Sequence, residues 1–145
     1  MDIYSLIKQD HQRVTDLFGL LDALEIAAAE RARLFRTLKR ELTVHKEAEE
    51  NTFYAALSDL PEISDRIEES LEEHVDVEEL LEELDDLDSE SDEFVAQLRE
   101  LKEEVEHHVE EEESVIFPLA RALLTAAEAE RIAQAMQEER SRLMA

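Results

Sequence analysis

The sequence predicts an all-α protein, an up-and-down antiparallel four-helix bundle with a short C-terminal fifth helix. The 145 residues include 1 Gly and 2 Pro, and so few helix-breaking residues leave little room for strands and tight turns. Apolar residues also recur at spacings of three and four along four long segments, which places them on one face of a helix. Helices of this kind, joined by short connections, pack as an antiparallel bundle.

The first helix is predicted to begin at Asp2, whose carboxylate can cap the free N–H groups of the first turn. Its apolar positions are Ile3, Ile7, Val14, Leu17, Phe18, Leu21 and Leu24. Gly19 is the one glycine of the chain and lies inside this helix. We interpret it as a mark of close packing against a neighbouring helix.

Three further long helices follow, separated by two clear breaks. The second covers about residues 28–57 and ends at the sequence Ser-Asp-Leu-Pro of residues 58–61. The third covers about 64–87 and ends at the polar stretch 88–92, whose Ser and Asp residues can cap the next helix. The fourth covers about 93–124.

The last part of the chain carries its own helix signals. Pro118 should kink the fourth helix or mark its weakening end. Thr125 followed by Glu128 is typical of a capping box, which predicts a fifth helix over about 126–143. Its apolar side carries Ile132, Met136 and Leu143. We expect this helix to pack across the bundle or to form an oligomer contact.

Composition limits the function. The formal net charge is −25, from 15 basic and 40 acidic residues, and such a surface repels nucleic acid and anionic membranes. The chain has no cysteine, which excludes disulfides and thiol chemistry. Its start does not resemble a signal peptide, and no apolar run approaches the ~20 residues of a membrane span. We therefore expect one cytoplasmic domain over 1–145, with the bundle at about 2–124, that acts on small molecules.

The histidines reveal an internal repeat with a spacing of 63 residues. Two single histidines are related by this spacing, and so are two His-x-x-x-Glu motifs. The six residues of the repeat are His11, His45, Glu49, His74, His108 and Glu112. The chain therefore consists of two related helix pairs.

This pattern predicts a metal site in the bundle core. A His and a Glu four residues apart share one helix face, and four facing helices can bring such groups together. Imidazole with carboxylate suits iron, manganese or zinc better than magnesium or calcium. A metal-free interaction module would have to bury these polar groups without suitable partners, which is costly. His107 points about 100° away from His108 and is expected to lie at the surface or outside the ligand set.

At this point the sequence resembles the hemerythrin-like proteins with the HHE cation-binding domain. The resemblance covers about residues 5 to 122. It is carried by Asp10-His11, by the segment 45–54, by Glu73-His74 and by the segment 108–120, HVEEEESVIFPLA. It implies an up-and-down four-helix bundle around a non-haem diiron centre with an oxo or hydroxo bridge.

The resemblance also implies a division of the ligands. His11 and His45 would bind one iron, and His74 and His108 would bind the other. Glu49 and Glu112 would bridge the two ions. The repeat supports the same division independently, because it predicts a pseudo-twofold axis between the metals. Ligand types alone leave manganese and zinc open as alternatives to iron.

The sequence differs from classical oxygen-carrying hemerythrins, which have a second histidine one turn before His74, where this chain has Ser70. They also place an Asp five residues after the fourth-helix His, where this chain has Glu112 at four. Fewer protein ligands leave coordination positions to be filled by another group. Tyr54 and Glu78 are possible additional ligands, and Tyr54 would need a π-bulge to turn toward the metals. Tyr4 shares the face of His11 and could lie just outside the ligands.

We therefore expect a diiron protein that reacts with hydrogen peroxide or O2, with catalase-like disproportionation of peroxide favoured. The catalytic group would be the metal centre itself, with Tyr54 as a possible protein contribution. The alternative function is binding, sensing or storage of O2, NO or iron without turnover.

Overall fold

The computed structural model describes residues 1–23 and 26–145. Leu24, which we assigned to the first helix, lies outside the described residues. The helical elements in chain order are α1 (Ile3–Leu21), α2 (Ala28–Glu49), the π-helical turn π1 (Glu50–Tyr54), α3 (Ala55–Leu57), α4 (Ser64–Asp85), α5 (Asp92–Glu111), the π-helical turn π2 (Glu112–Ile116), α6 (Phe117–Leu123) and α7 (Ala126–Met144). The predicted all-α fold is confirmed. The helix α2 continues through π1 into α3, and α5 continues through π2 into α6.

The predicted helix starts have the expected caps. Asp2 accepts a hydrogen bond from the backbone N–H of Ser5 at 2.9 Å. Ser91 caps α5 by accepting from the backbone N–H of Phe94. Thr125 and Glu128 form a complete reciprocal capping box at the start of α7. Each cap satisfies N–H groups that have no partner within the first turn of a helix.

The two π turns are the main departure from regular helix geometry. Each begins beside a glutamate of the sequence repeat, π1 directly after Glu49 and π2 at Glu112. A π turn inserts one extra residue into the helix, and such turns favour functional sites. Pro118 lies in the first turn of α6, directly after π2. The missing N–H of proline is tolerated there, because the regular i→i−4 ladder is already interrupted.

The core consists of two hydrophobic clusters with a polar layer between them. One cluster includes Ile7, Phe53 and Phe117, and the other includes Phe18 and Leu38. Along each bundle helix the buried histidines and glutamates fall between the residues of the two clusters. The helix pairs of the repeat form two units, because α1 packs on α2 and α4 packs on α5.

The fifth helix packs across the bundle, which was the first of the two expected arrangements. Helix α7 contacts α1, α2 and π1, and Ala129, Ala133 and Met136 are buried there. Arg140 extends from it to Asp10 and Glu41, with its Nη2 donating to Glu41 Oε2 at 2.7 Å.

Gly19 does not mark close packing, so that interpretation was wrong. Among the described residues, nothing lies within 4 Å of the position that a Cβ would take. Gly19 is exposed on the outer face of α1, where the sequence pattern alone gives no information about neighbours. In the part of the chain that the structure describes, no helix is long and apolar enough to cross a membrane.

Candidate metal centre

The polar layer contains all six residues of the sequence repeat. The four histidines are 5–7% exposed and both glutamates are fully buried. His11 comes from α1, His45 and Glu49 from α2, and His74 from α4; the other two are His108 on α5 and Glu112 on π2. Four separate helices therefore meet at this layer, as the repeat predicted.

Glu49 lies between the two halves of the site. Its Oε2 is 3.6 Å from Nε2 of His45, and its Oε1 is 3.2 Å from Nε2 of His74. Donor atoms that bind one ion at about 2.1 Å in neighbouring positions lie roughly 3 Å apart. Each oxygen of Glu49 is thus placed to share an ion with a different histidine.

Glu112 repeats this arrangement on the other side. Its Oε1 is 3.1 Å from Nε2 of His11, and its Oε2 is 3.8 Å from Nε2 of His108. Within the second half, Nε2 of His74 and Nε2 of His108 are 3.1 Å apart. Both carboxylates therefore reach from one histidine pair to the other, which is the geometry of a double bridge.

The donor atoms form two groups that could each hold an ion. One group is His11, His45, Glu49 and Glu112, and the other is Glu49, His74 and His108; in each, the ligand atoms lie within 4.8 Å of one another. Several of these atoms are buried without a hydrogen-bond partner among the described residues. They are Nε2 of His11, Nε2 of His45, both oxygens of Glu49 and Oε1 of Glu112. Buried polar atoms normally have partners, so this donor set fits metal ions.

Each of the four imidazoles has a carboxylate at its other nitrogen. The Nδ1 pairs are His11 with Glu113 (2.7 Å), His45 with Asp10 (2.6 Å), His74 with Glu50 (2.8 Å) and His108 with Glu73 (2.8 Å). An Nδ1–H that donates to a carboxylate leaves Nε2 free to bind a metal and holds the plane of the ring.

These four carboxylates were not among the predicted site residues, although the sequence carries a signal for them. Asp10 and Glu73 are 63 residues apart, and so are Glu50 and Glu113. Each lies directly beside one of the six repeat residues in the chain. The same spacing that identified the ligands would have identified their partners, had it been applied to the neighbouring positions.

The pKa directions show how strongly this layer favours positive charge. Burial lowers the pKa of His74, but the adjacent carboxylates of Glu49 and Glu50 outweigh that effect and raise the pKa to about 9. Burial likewise lowers the pKa of His11, and the adjacent carboxylate of Glu112 reverses the direction. Burial raises the pKa of Glu49, yet His45 and His74 bring that pKa well below its ordinary value. The carboxylates thus stabilise cations here, whether protons or metal ions supply the charge.

Tyr54 lies inside the site, at the end of π1. It is 1% exposed, its hydroxyl donates to Oε2 of Glu112, and its ring stacks on His74 at 5.4 Å. Burial, followed by the charges of Glu112 and Glu49, raises the pKa of the phenol well above 10. The π turn supplies the rotation that the sequence analysis required for an inward Tyr54.

Glu78 does not join the cluster. Its side chain is half-exposed, and its Oε2 accepts from Nζ of Lys46 at 2.8 Å. The position one turn after His74 lies on the correct helix face but at the edge of the layer, where solvent and a lysine compete for the carboxylate. In the described part of the chain, neither ligand group includes Glu78.

His107 and Tyr4 also lie outside the ligand layer. The side chain of His107 is 61% exposed, with Nε2 at 3.5 Å from an oxygen of Glu73 and of Glu111, as expected for a surface histidine. Tyr4 packs edge-on against Phe53 and Phe117 in the neighbouring hydrophobic cluster.

A cavity of about 190 Å³ opens on the histidine side of the layer. All four histidines of the layer line its floor, and the surface of its walls is mainly apolar. The polar residues that also line it are Lys39, Thr43, Lys46, Glu47, Glu78 and Glu82. The apolar wall residues are Val14, Leu42, Val77, Leu81, Val105 and Val109. Among the described residues, the lining includes neither the two bridging glutamates nor Tyr54. The layer therefore has a closed side with the carboxylates and Tyr54, and an open side that faces the cavity.

Comparisons with known proteins match most of the chain. The family described as Hemerythrin HHE cation binding domain matches residues 2–120. The crystal structure of a Hemerythrin HHE cation binding domain-containing protein from Mycobacterium kansasii superimposes with a TM-score of 0.88, covering 99% of this chain and 87% of that chain. The two sequences are 24% identical, so this likeness shows the fold.

A curated protein named DNA nickase, from Nostoc sp. (strain PCC 7120 / SAG 25.82 / UTEX 2576), is 29% identical over 147 residues. The alignment covers 99% of this chain and 40% of that protein. The chain thus spans less than half the length of this relative.

Proposed function

The chain belongs to the hemerythrin HHE cation-binding domain family, and from that premise we propose that it is a non-haem diiron protein that reacts with hydrogen peroxide or O2. Peroxide disproportionation of the catalase type is the favoured reaction. His11 and His45 would hold one iron, and His74 and His108 the other. Glu49 and Glu112 would bridge them.

The observation that carries this proposal is the placement of the two glutamates. Each directs one oxygen to a histidine of the first half and the other oxygen to a histidine of the second half. A single-ion site needs only one such group, whereas two adjacent groups that share Glu49 support a site for two ions side by side. Two iron ions held there would supply or accept two electrons between them, which is the number that reducing or oxidising one peroxide requires.

The chain's own residues would support this chemistry in three ways. The outer carboxylates hold the imidazole rings in place, which keeps the Nε2 atoms aimed at the ions. The apolar walls of the cavity limit access of water to the open side. The hydroxyl of Tyr54 donates a hydrogen bond to Oε2 of Glu112, which orients that carboxylate at the closed side of the layer.

We also propose Tyr54 as an additional ligand of the half that contains His74 and His108. Its hydroxyl already contacts a bridging carboxylate, and its ring lies against His74. Metal binding releases protons from ligands, so the phenol would lose its proton despite its raised pKa. Phe117 takes the equivalent position in the other half of the repeat and has no ligand atom. Tyr54 would therefore make the two ions unequal.

The apolar cavity also favours the second candidate function, which is binding of O2 or NO without turnover. Both are small neutral molecules, and the walls beside the histidines have few polar groups to oppose them. Reversible binding to the reduced protein, without consumption of peroxide, would identify this function.

The DNA-nicking activity named for the Nostoc relative is not part of this proposal. A net charge of −25 opposes the approach of a phosphate backbone. We propose small molecules as the partners of this domain, and neither nucleic acid nor membrane.

The test is metal analysis followed by a peroxide assay. Protein expressed with sufficient iron should contain close to two iron equivalents, and it should evolve O2 from added hydrogen peroxide. The His74→Ala variant should lose iron from one half and most of the O2 evolution, whereas His107→Ala, a matched change at an exposed histidine, should retain both. Wild-type protein with no bound iron would contradict the proposal.

A further inference from the structure

We propose that the cavity beside the histidines binds a small neutral organic molecule, with its apolar body against the walls and a single hydroxyl or hydroperoxyl end toward the histidines. Short alkyl hydroperoxides belong to this class. The inference rests on the proposed function, because it names a substrate class for the same site. It goes beyond hydrogen peroxide and O2, neither of which carries an alkyl group.

The walls of the cavity follow the internal repeat. Each bundle helix contributes one wall residue three positions from its histidine, on the open side of the layer. The four are Val14, Leu42, Val77 and Val105. Val14 and Val77 are 63 residues apart, and so are Leu42 and Val105. Leu81 adds a further apolar surface one turn beyond Val77. Such walls favour an apolar body, because a charged one would lose hydration without gaining partners.

The mouth of the cavity does not favour an anion. It opens between α2 and α4, where Nζ of Lys46 donates to Oε2 of Glu78 at 2.8 Å. Lys39, the other lysine at the mouth, is paired with Asp85. The positive charges at the opening are thus already balanced by carboxylates, and the net charge of −25 repels anions from the whole domain. A neutral ligand meets neither obstacle.

The size of the cavity exceeds what peroxide or O2 needs. A water molecule has a share of about 30 Å³ in the liquid, and apolar cavities of about 150 Å³ can bind benzene. The cavity here measures about 190 Å³. It can therefore hold a molecule of roughly six heavy atoms, such as tert-butanol or tert-butyl hydroperoxide, by the same comparison.

The floor determines the orientation of such a molecule. All four imidazoles of the layer line the cavity, while the carboxylates and Tyr54 lie behind them. The floor is polar, the walls next to it are apolar, and charged side chains lie again at the mouth. A ligand with one polar end would therefore place that end at the layer where the histidines would hold the ions, and its alkyl group at the ring of four wall residues.

The test uses two inert probes and the iron-loaded protein. Crystals under xenon pressure should show an anomalous peak between Val77 and Leu81. In solution, calorimetric titration with tert-butanol should show saturable binding to wild-type protein, and tert-butanol should slow hydrogen peroxide consumption competitively.

Leu81→Phe should fill the cavity and weaken tert-butanol binding at least tenfold. Leu42→Phe, at a partly exposed wall position that tolerates a larger side chain, should have the same effect if Leu81→Phe does not fold. Leu20→Phe adds the same ring on an exposed surface and should leave tert-butanol binding unchanged.

The outcomes separate this inference from the proposed function. Peroxide consumption with neither a xenon peak nor saturable tert-butanol binding would overturn the inference alone. Saturable tert-butanol binding that both wall variants leave unchanged would also overturn it, because the alcohol would then bind elsewhere. Saturable binding that both wall variants weaken, in a protein that does not consume peroxide, would support the cavity assignment and overturn the proposed function.

Discussion

Glu49 and Glu50 are neighbours in the chain, but their side chains point in different directions and contact different atoms. The helix turns successive side chains about 100° apart, so Glu49 points into the ligand layer while Glu50 holds Nδ1 of His74 from outside. The same division separates Glu112 from Glu113 in the second half. One adjacent pair of acids in each half therefore supplies both a proposed bridging ligand and an outer support for a histidine.

Neutralising these two glutamates should have distinct effects on metal content. Glu49→Gln removes a bridging charge, so bound iron should fall from two equivalents to one or less. Glu50→Gln leaves every proposed ligand in place and should weaken iron affinity by about 10–100-fold, as is usual for outer-shell partners. Competition with a chelator measures both effects. Glu79→Gln, an exposed site on α4, is the control, and wild-type affinity in Glu49→Gln would contradict the bridging assignment.

Tyr54→Phe tests the additional ligand. Iron-loaded wild-type protein should show a visible absorption band from charge transfer between phenolate and ferric iron, because Tyr54 would bind as the deprotonated phenol. The variant should lose this band while keeping two iron equivalents. Tyr4→Phe changes the second tyrosine, which packs among aromatic rings away from the ligands, and should retain the band. A band that survives in Tyr54→Phe would exclude Tyr54 as its source.

The raised pKa of His74 makes a prediction about protein stripped of metal with a chelator. Folding raises this pKa from 6.5 to about 9. The ionic contribution of His74 is therefore fully present below pH 6.5 and is lost as the pH rises through about 9. Urea unfolding should show a free energy of unfolding that falls over this window, by on the order of 3 kcal/mol at most.

His74→Gln is the control for this pH dependence, since it removes the titrating group and keeps a polar side chain. The stripped variant should show a clearly flatter profile between pH 6.5 and 9 than the stripped wild type. A stripped wild-type protein that is equally stable at both ends of the window would contradict the assignment of the charge to His74.

At the scale of elements, the two π turns decide which side chains reach the site. A regular helix would place Tyr54, nine residues after His45, about half a turn from the ligand face. The extra residue in π1 brings it inward, onto Glu112. The corresponding turn π2 brings Phe117 into the neighbouring hydrophobic cluster. Both turns lie where metal-site residues and core residues meet along the helix.

Gly19 offers a test of helix propensity away from the site. It lies inside α1 with open space beside it among the described residues. Gly19→Ala should therefore stabilise the domain by about 0.5–1 kcal/mol, because alanine loses less backbone entropy in a helix. Thermal unfolding of the iron-loaded protein would show a higher Tm. Gly19→Val should raise the Tm less, since a β-branched side chain is restricted in a helix. A lower Tm in Gly19→Ala would contradict the open space beside Gly19.

At the scale of the whole molecule, the site joins helices that are distant in sequence. The six proposed ligands come from both helix pairs, and α7 adds Arg140 against Asp10, the partner of His45. Bound metal should therefore stabilise the bundle as a unit, because it binds the folded state and not the unfolded chain.

Removal of iron should accordingly lower the Tm of the wild-type protein by several degrees, and iron should restore it. Calorimetry with and without a chelator measures this. The double variant His45→Ala and His74→Ala removes one histidine from each half, so its Tm should respond little to iron. A wild-type Tm that is insensitive to the chelator, with iron shown to have left, would contradict a stabilising role.

Sequence alone determined the helical fold, the six clustered residues and their division into halves, because helical periodicity and the 63-residue spacing are properties of the chain itself. The same spacing also contained the four outer carboxylates. Only the tertiary structure decided that Tyr54 points inward, that Glu78 pairs with Lys46, and that a cavity opens between α2 and α4. These features depend on a local change of helix winding and on the distances between packed helices, and neither follows from the spacing of residues along one helix.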